Sequence, residues 1–222
     1  MSERSFFVTG TDTGVGKTVV AAVLTAKLRA RGYDVVPMKP VQTGEADDLA
    51  VSLRAADLTV DEAERKRMCP YRFALAASPH LAAAREGVTI SIDRIRRACE
   101  ELRARHDGVM VEGAGGALTP LTDSRSMLDV MTALRLPVMI VARPGLGTLN
   151  HTLLTIRELR RAKLDVRAVF LNETNAGSWG EIEEDNLQTL QRVAEVPTIV
   201  RFPFVANPAC DLPREVAMSL MP

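Results

Sequence analysis

Two side chains able to handle phosphate, Lys17 and Thr18, stand at the end of a glycine-rich stretch, Gly10-Thr11-Asp12-Thr13-Gly14-Val15-Gly16. Glycines let successive backbone N–H groups turn inward on an anion, and a helix beginning near Lys17 adds its positive dipole end. The lysine ammonium then neutralises terminal phosphates, and the Thr18 hydroxyl is placed to reach a magnesium ion. On this reading Thr13, Gly14, Val15, Gly16, Lys17, Thr18 and Val19 form a nucleotide-binding turn, a P-loop. The alternative is an ordinary glycine turn between a strand and a helix. The usual spacing would put a glycine at position 11; Thr11 stands there, and Gly10 comes one residue earlier.

Three further places carry candidate chemistry. Lys39 follows the apolar run Val35-Val36-Pro37-Met38 and would sit at a strand's carboxyl end, where ligands bind in open α/β sheets. It is a candidate partner for phosphate or carboxylate, although a surface lysine would look the same. Asp47 and Asp48 open a helical pattern at Leu49. An acid there can offset the helix dipole by about 0.3–1 kcal/mol, and one of the two could instead complete a magnesium shell opposite Thr18. Glu112 ends the strand Val109-Met110-Val111 and is followed by Gly113, Gly115 and Gly116. That places it as a metal carboxylate, as a water-orienting acid, or simply as the polar end of a strand. Finally, glycines precede a helix start at Gly147-Thr148-Leu149-Asn150-His151, whose free amides could hold an anion such as a substrate carboxylate.

The elements that must position these groups alternate regularly. Phe6-Phe7-Val8 leads into the glycine loop, and Ala21, Ala22, Leu24 and Leu28 continue as a helix that ends near Arg31-Gly32. Strands are expected over 34–38, 108–112, 137–142, 166–171 and 197–201. Ser78-Pro79 reads as a helix entry, and Ile92, Ile95, Cys99 and Leu102 repeat at helical spacing. Residues 41–48 are expected to form a polar loop and 54–72 a charged, irregular surface. His80 and His106 have no recognisable partner in sequence. Strand and helix in alternation call for an α/β fold, with a doubly wound, mainly parallel sheet flanked by helices, in a single domain over 1–222.

Composition narrows the function classes. Of 222 residues, 46% are hydrophobic and 25% charged, with formal net charge zero, which argues against disorder, a nucleic-acid surface and a membrane-attracting face. No apolar run approaches membrane-spanning length, and the first residues run straight into a strand, so a cytoplasmic location is expected. Cys69, Cys99 and Cys210 are widely spaced and form neither a metal pattern nor a disulfide framework.

Taken in order, Gly10–Thr18, Lys39-Pro40-Val41-Gln42-Thr43-Gly44, Val111-Glu112-Gly113-Ala114-Gly115-Gly116 and Leu146–His151 resemble dethiobiotin synthetase, the ATP-dependent carboxylase of biotin synthesis. The resemblance implies a P-loop NTPase fold, with ATP as co-substrate and magnesium as cofactor. It implies that 7,8-diaminononanoate takes up carbon dioxide as a carbamate, which ATP phosphorylates before the second amine closes the ring. Lys17 and Lys39 would be catalytic, and Thr18, Asp48 and Glu112 would hold magnesium. Asp48 is preferred to Asp47 because the family's metal aspartate directly precedes the helical leucine. Besides Thr13–Val19, the nucleotide would meet Asp48, Glu112, Gly115, Asn172, Glu173, Pro203, Phe204 and Val205. Thr43 would contact the diamine or the carbamate, and Gly147–His151 would hold the substrate carboxylate from a second subunit, which implies a homodimer with its active sites at the interface. Gly14 is a departure from some members, which carry an acid there. The rival class, nucleotide-switch ATPases of the partitioning or septum-placing kind, carries an additional lysine where this chain has Asp12.

Overall fold

A computed structural model of the chain describes residues 4–207. Pro208, Cys210 and the uncharged end Met218–Pro222 lie outside the described residues. In chain order the elements are β1 (Phe6–Gly10), α1 (Lys17–Ala30), β2 (Val35–Met38), β3 (Val41–Thr43), α2 (Asp48–Ala55), α3 (Glu62–Met68), β4 (Tyr71–Phe73) and α4 (Pro79–Arg85). They continue as α5 (Ile92–Arg103), β5 (Gly108–Gly116), α6 (Met127–Leu134), β6 (Val138–Ala142), α7 (Thr148–Arg161), β7 (Val166–Asn172), α8 (Glu181–Val193) and β8 (Thr198–Phe202).

The main sheet has the order β2-β5-β1-β6-β7-β8, and every neighbouring pair is parallel. Its central strands are mostly apolar because helices cover both faces, while Arg167 of β7 and Arg201 of β8 are exposed. Along β1, Phe7 enters the larger apolar cluster while Val8 enters the cluster under α1; Ile140 and Val141 divide in the same way along β6. This period of two makes the register strict, since a one-residue slip would exchange the two faces. The order of the connections switches at β1, with all strands still parallel: β5 lies on one side and β6 on the other, so their carboxyl ends flank the loop that leaves Gly10.

All six strands expected from the apolar runs are present, and they are the six of the main sheet. The region between β2 and α4 differs from expectation. Residues 41–43 form β3 rather than loop, paired in parallel with β4 in a separate two-stranded sheet, Val41 opposite Tyr71 and Thr43 opposite Phe73. Three-residue strands are too short to show alternation reliably. The charged stretch that follows α2 also holds a helix, α3, which buries only Met68 from its own span and is capped by Asp61 accepting from the Glu64 amide. Neither α6 nor α8 is expected from sequence. Each starts on a capping arrangement, with Asp129 reaching back to Ser126 and Glu183 to the Gly180 amide.

Candidate active site

The glycine loop is held from below. Asn172, buried at the end of β7, donates from Nδ2 to the Val15 carbonyl at 2.9 Å. Gly16 passes so close to this amide that a Cβ there would lie 2.0 Å from Nδ2, and its φ of +91° is a left-handed conformation natural to glycine. Val15 and Val19 turn their apolar side chains toward the cluster under α1, which leaves their main chain to the loop. Lys17 is 7% exposed, and its Nζ donates to the Asp12 carbonyl at 2.9 Å. Burial, with the Lys39 charge adding to it, brings the Lys17 ammonium down to a pKa of about 8. Asp12 accepts from the Thr13 amide through one carboxylate oxygen and from Arg143 through the other, both at 2.7 Å.

Across the cleft, register does the positioning. Met38 lies opposite Val111, and the next residues along the two strands are Lys39 and Glu112. Lys39 Nζ stands 2.7 Å from Glu112 Oε1 and 2.6 Å from Asp48 Oδ2. The same Glu112 oxygen accepts from the Thr18 hydroxyl at 2.8 Å. Burial works against the Lys39 charge, but Glu112 and then Asp48 outweigh it and hold the ammonium above its ordinary pKa. The structure also separates the two neighbouring aspartates. Asp47 caps α2, accepting from the Ala50 amide at 2.9 Å, whereas Asp48 turns into the cleft.

Around these groups lies a cleft of about 730 Å³. Thr13, Gly14, Gly16, Lys17 and Thr18 form one side, and Lys39, Thr43, Asp48, Glu112 and Gly115 come from the facing elements. Sequence reasoning missed the wall contributed by Ala76, Ala77, Ser78 and Pro79 ahead of α4. The Ser-Pro helix entry was its one legible signal. Ser78 makes no side-chain cap; its hydroxyl pairs at 3.0 Å with His80 Nδ1, so His80 does have a partner.

A protein-family model described as an AAA domain matches residues 4–208. The ATP-dependent dethiobiotin synthetase BioD of Anaeromyxobacter dehalogenans (strain 2CP-C) is 49% identical over 175 residues, covering 77% of either chain. That of Lysinibacillus sphaericus (strain C3-41) is 38% identical over 202 residues, 87% of this chain and 85% of its own. The chain belongs to the dethiobiotin synthetase family. Among solved structures, the septum site-determining protein MinD of Pyrococcus horikoshii OT3 superimposes with a TM-score of 0.61 at 17% identity, over 90% of this chain and 81% of that one. A ParA family ATPase from Chlorobium tepidum TLS gives a TM-score of 0.59 at 16% identity, over 92% and 86%. These two share the fold, a P-loop NTPase-like parallel sheet between helices.

Against the dethiobiotin synthetase pattern, the remaining expected residues fall outside the cleft. Gly147, with φ +89°, starts α7; Thr148 is buried, Leu149 half-buried and Asn150 exposed. His151 borders depressions beside Thr11 and Asp12, one of which shares Thr13 and Thr119 with the cleft. Within one chain, therefore, Gly147–His151 do not line the cleft that Thr43 lines. At the end of β8, Val205 packs into the cluster under α1, Pro203 is half-buried and Phe204 is exposed. Glu173 is buried and bound to Arg201, whose guanidinium lies 4.8 Å from the centre of the Trp179 ring.

His106, without a recognisable partner in sequence, bridges two carboxylates: Nδ1 to Asp34 at 2.7 Å and Nε2 to Glu64 at 2.9 Å. Burial lowers its basicity, and the two carboxylates outweigh burial and raise it. Glu64 also pairs with Arg67 inside α3, and Arg67 reaches Glu101 of α5, so within the run Glu64-Arg65-Lys66-Arg67 these two residues tie α3 to its neighbours while Lys66 stays exposed. Cys69 and Cys99 are free thiols, each pushed up to a pKa of about 11 chiefly by burial. Among the described residues, no helix is long and apolar enough to cross a membrane.

Proposed function

We propose that this cleft carries out the ATP-dependent carboxylation and ring closure of 7,8-diaminononanoate to dethiobiotin. The observation that carries the reading is the pair of buried lysines facing one cleft, Lys17 on the glycine loop and Lys39 between Glu112 and Asp48. A carbamate and a γ-phosphate are both anionic, and bringing them together requires preorganised positive charge on both sides. In the first step a carbamate oxygen attacks the γ-phosphorus and the bond to the β-phosphate oxygen breaks, releasing ADP. In the second, the neighbouring amine attacks the carbonyl carbon of the mixed anhydride, phosphate leaves, and the nitrogen loses its proton as the urea ring closes. Lys17 steadies the phosphates and Lys39 the carbamate.

Magnesium fits the donor set, which is all oxygen: the Asp48 and Glu112 carboxylates share the Lys39 ammonium, and the Thr18 hydroxyl bonds Glu112. Among the described residues there is no group of three or more His, Cys, Asp or Glu side chains placed to hold a metal ion. Phosphate oxygens would complete the shell, and the bound ion would offset phosphate charge during transfer. Thr13–Val19 and Gly115 cradle the phosphates, Thr43 faces the diamine, and Asn172, Glu173 and Pro203–Val205 border the base. The separation of Gly147–His151 from Thr43 supports a homodimer in which one subunit's α7 start holds the carboxylate of the other's substrate. We read the chain as one cytoplasmic α/β domain whose partners are small molecules and a second copy of itself, with neither nucleic acid nor membrane among them.

The test supplies ATP, magnesium, bicarbonate and 7,8-diaminononanoate and follows products by mass. Dethiobiotin is expected in step with ADP. Equal ADP release without the diamine, and no cyclic product, would overturn the reading.

A further inference from the structure

We infer that Arg65 and Arg72 are positioning residues for Asp48, acting through Asp47, and that α3 is the splint on which the Lys39–Asp48 pair is set. This rests on the function proposed above.

The two carboxylates on Lys39 are anchored very differently. Glu112 lies inside the nine-residue strand β5, and its side chain is 5% exposed. Asp48 is the first residue of the short helix α2, which follows the exposed residues Glu45 and Ala46, and its side chain is 25% exposed. A partly exposed aspartate at the first residue of a short helix needs something beyond the helix to hold it within 2.6 Å of an ammonium.

That something is next to it. Asp47 spends Oδ1 on the Ala50 amide at 2.9 Å, which alone satisfies the cap. Its other oxygen, Oδ2, receives two guanidinium groups: Arg65 of α3 at 2.5 Å and Arg72 of β4 at 3.1 Å. Capping does not require them, and exposed ion pairs of this kind add little to stability. Their effect is geometric, tying the α2 start to two other elements. Gln42 of β3 adds a third tie, accepting from the Asp48 amide at 3.3 Å.

The same helix also holds the other partner. The Lys39 backbone amide donates to the Met68 carbonyl, the last residue of α3, at 2.7 Å. Arg65 and Met68 stand one helical turn apart, so the spacing between the Lys39 main chain and the α2 start is set by a rigid piece of helix. Preorganisation of this kind acts on function out of proportion to its effect on stability, because a small misplacement of a charged ligand is felt directly in the site.

The experiment compares wild type, Asp47→Asn, the Arg65→Ala/Arg72→Ala pair and the Arg65→Lys/Arg72→Lys pair in the full chain. Asp47→Asn keeps a cap acceptor and removes the charge that draws in both arginines. Two readouts are taken: manganese binding in the presence of ADP by electron paramagnetic resonance, and the magnesium concentration for half-maximal dethiobiotin formation. Expected is about a tenfold weakening of both in Asp47→Asn and in the alanine pair, on the scale of losing an outer-sphere partner at a metal site, with melting temperatures within a few degrees of wild type and partial recovery in the lysine pair. Wild-type metal binding in Asp47→Asn and the alanine pair overturns the inference, as does a loss of turnover that follows lost melting temperature with metal affinity unchanged. If the alanine pair does not fold, Asp47→Asn decides. Because manganese binding is read without the diamine, failure of the synthetase reading would leave this outcome legible on its own.

Discussion

Two halves of the cleft hold a lysine each, and they hold it by different means. Lys17 is fixed by its own loop: its ammonium rests on the carbonyl of Asp12, five residues back, and the loop is latched by Asn172 from below. Lys39 is fixed by carboxylates from elsewhere, one 73 residues away on β5 and one on α2, with α3 and the small β3–β4 sheet as scaffold. The glycine-loop half is a local design in which backbone amides and a carbonyl do most of the work. The other half is an assembly of side-chain charges whose geometry depends on several elements packing correctly. On the function proposed above, the first half holds the nucleotide's phosphates, and joining an acceptor to the γ-phosphate needs both.

Removing either lysine should give the largest effect and separates the two halves. Lys17→Ala and Lys39→Ala are each expected to lower dethiobiotin turnover by at least ~10²-fold, the scale for losing a preorganised charge at a transition state. Binding of a non-hydrolysable ATP analogue should fall strongly in Lys17→Ala and stay near wild type in Lys39→Ala. Equal loss of analogue binding in both would erase the division of labour.

Gly16→Ala tests whether the loop half is as locally determined as it looks. The new methyl would meet the Asn172 amide at 2.0 Å in a left-handed conformation. A destabilisation of about 1–3 kcal/mol in urea unfolding is expected, together with weakened nucleotide binding. A neutral outcome would show that the latch between β7 and the loop yields easily.

Protonation separates the halves more gently. With a pKa of about 8, Lys17 is partly neutral in a mildly alkaline nucleotide-free protein, while Lys39, raised by its carboxylates, stays charged. Triphosphate at the loop restores the Lys17 charge, so ATP binding above pH 8 should take up protons, detectable as a dependence of binding heat on buffer ionisation enthalpy. Lys17→Met should abolish that uptake and Lys39→Met leave most of it. For folding the sign is also set: a lysine at about 8 in the folded chain and near 10.5 unfolded binds fewer protons when folded between those values, so its contribution makes the nucleotide-free protein more stable as pH rises through that window.

The smallest effect concerns the attachment of α3. His106 has its folded pKa raised by Glu64 and Asp34, so its stabilising contribution is complete below the unfolded value near 6.5 and is lost as pH climbs through the raised folded value. His106→Asn should cost about 0.2–1 kcal/mol at pH 6 and less at pH 8, by chemical denaturation. A difference that grew with pH would mean that His106 holds α3 by something other than charge.

How much of this was legible in sequence follows the same division. Apolar runs announced every strand of the main sheet, because strands covered by helices carry mostly apolar residues even where an exposed Arg167 or Arg201 breaks the run. Gly10–Thr18 announced the loop half, because its function is carried by neighbours in the chain. Lys39 and Glu112 were visible as strand ends but not as a pair, since nothing in either stretch states that β2 and β5 lie side by side. The choice of Asp48 over Asp47 came from the family pattern, and its physical reason, that Asp47 is spent on the Ala50 amide and two arginines, appears only once α2, α3 and β4 are packed. His106 is the plainest omission: its partners lie 72 and 42 residues away, beyond any local pattern.

Sequence by itself determined the parallel α/β fold, the phosphate-binding loop and the identity of the charged residues at the sheet's carboxyl edge, because period, glycine placement and strand ends are properties of neighbouring residues. Tertiary structure decided which of those charges meet. Coulombic pairing at 2.6–2.7 Å depends on strand order, register and the seating of a short helix, and these are settled by packing between segments far apart in the chain.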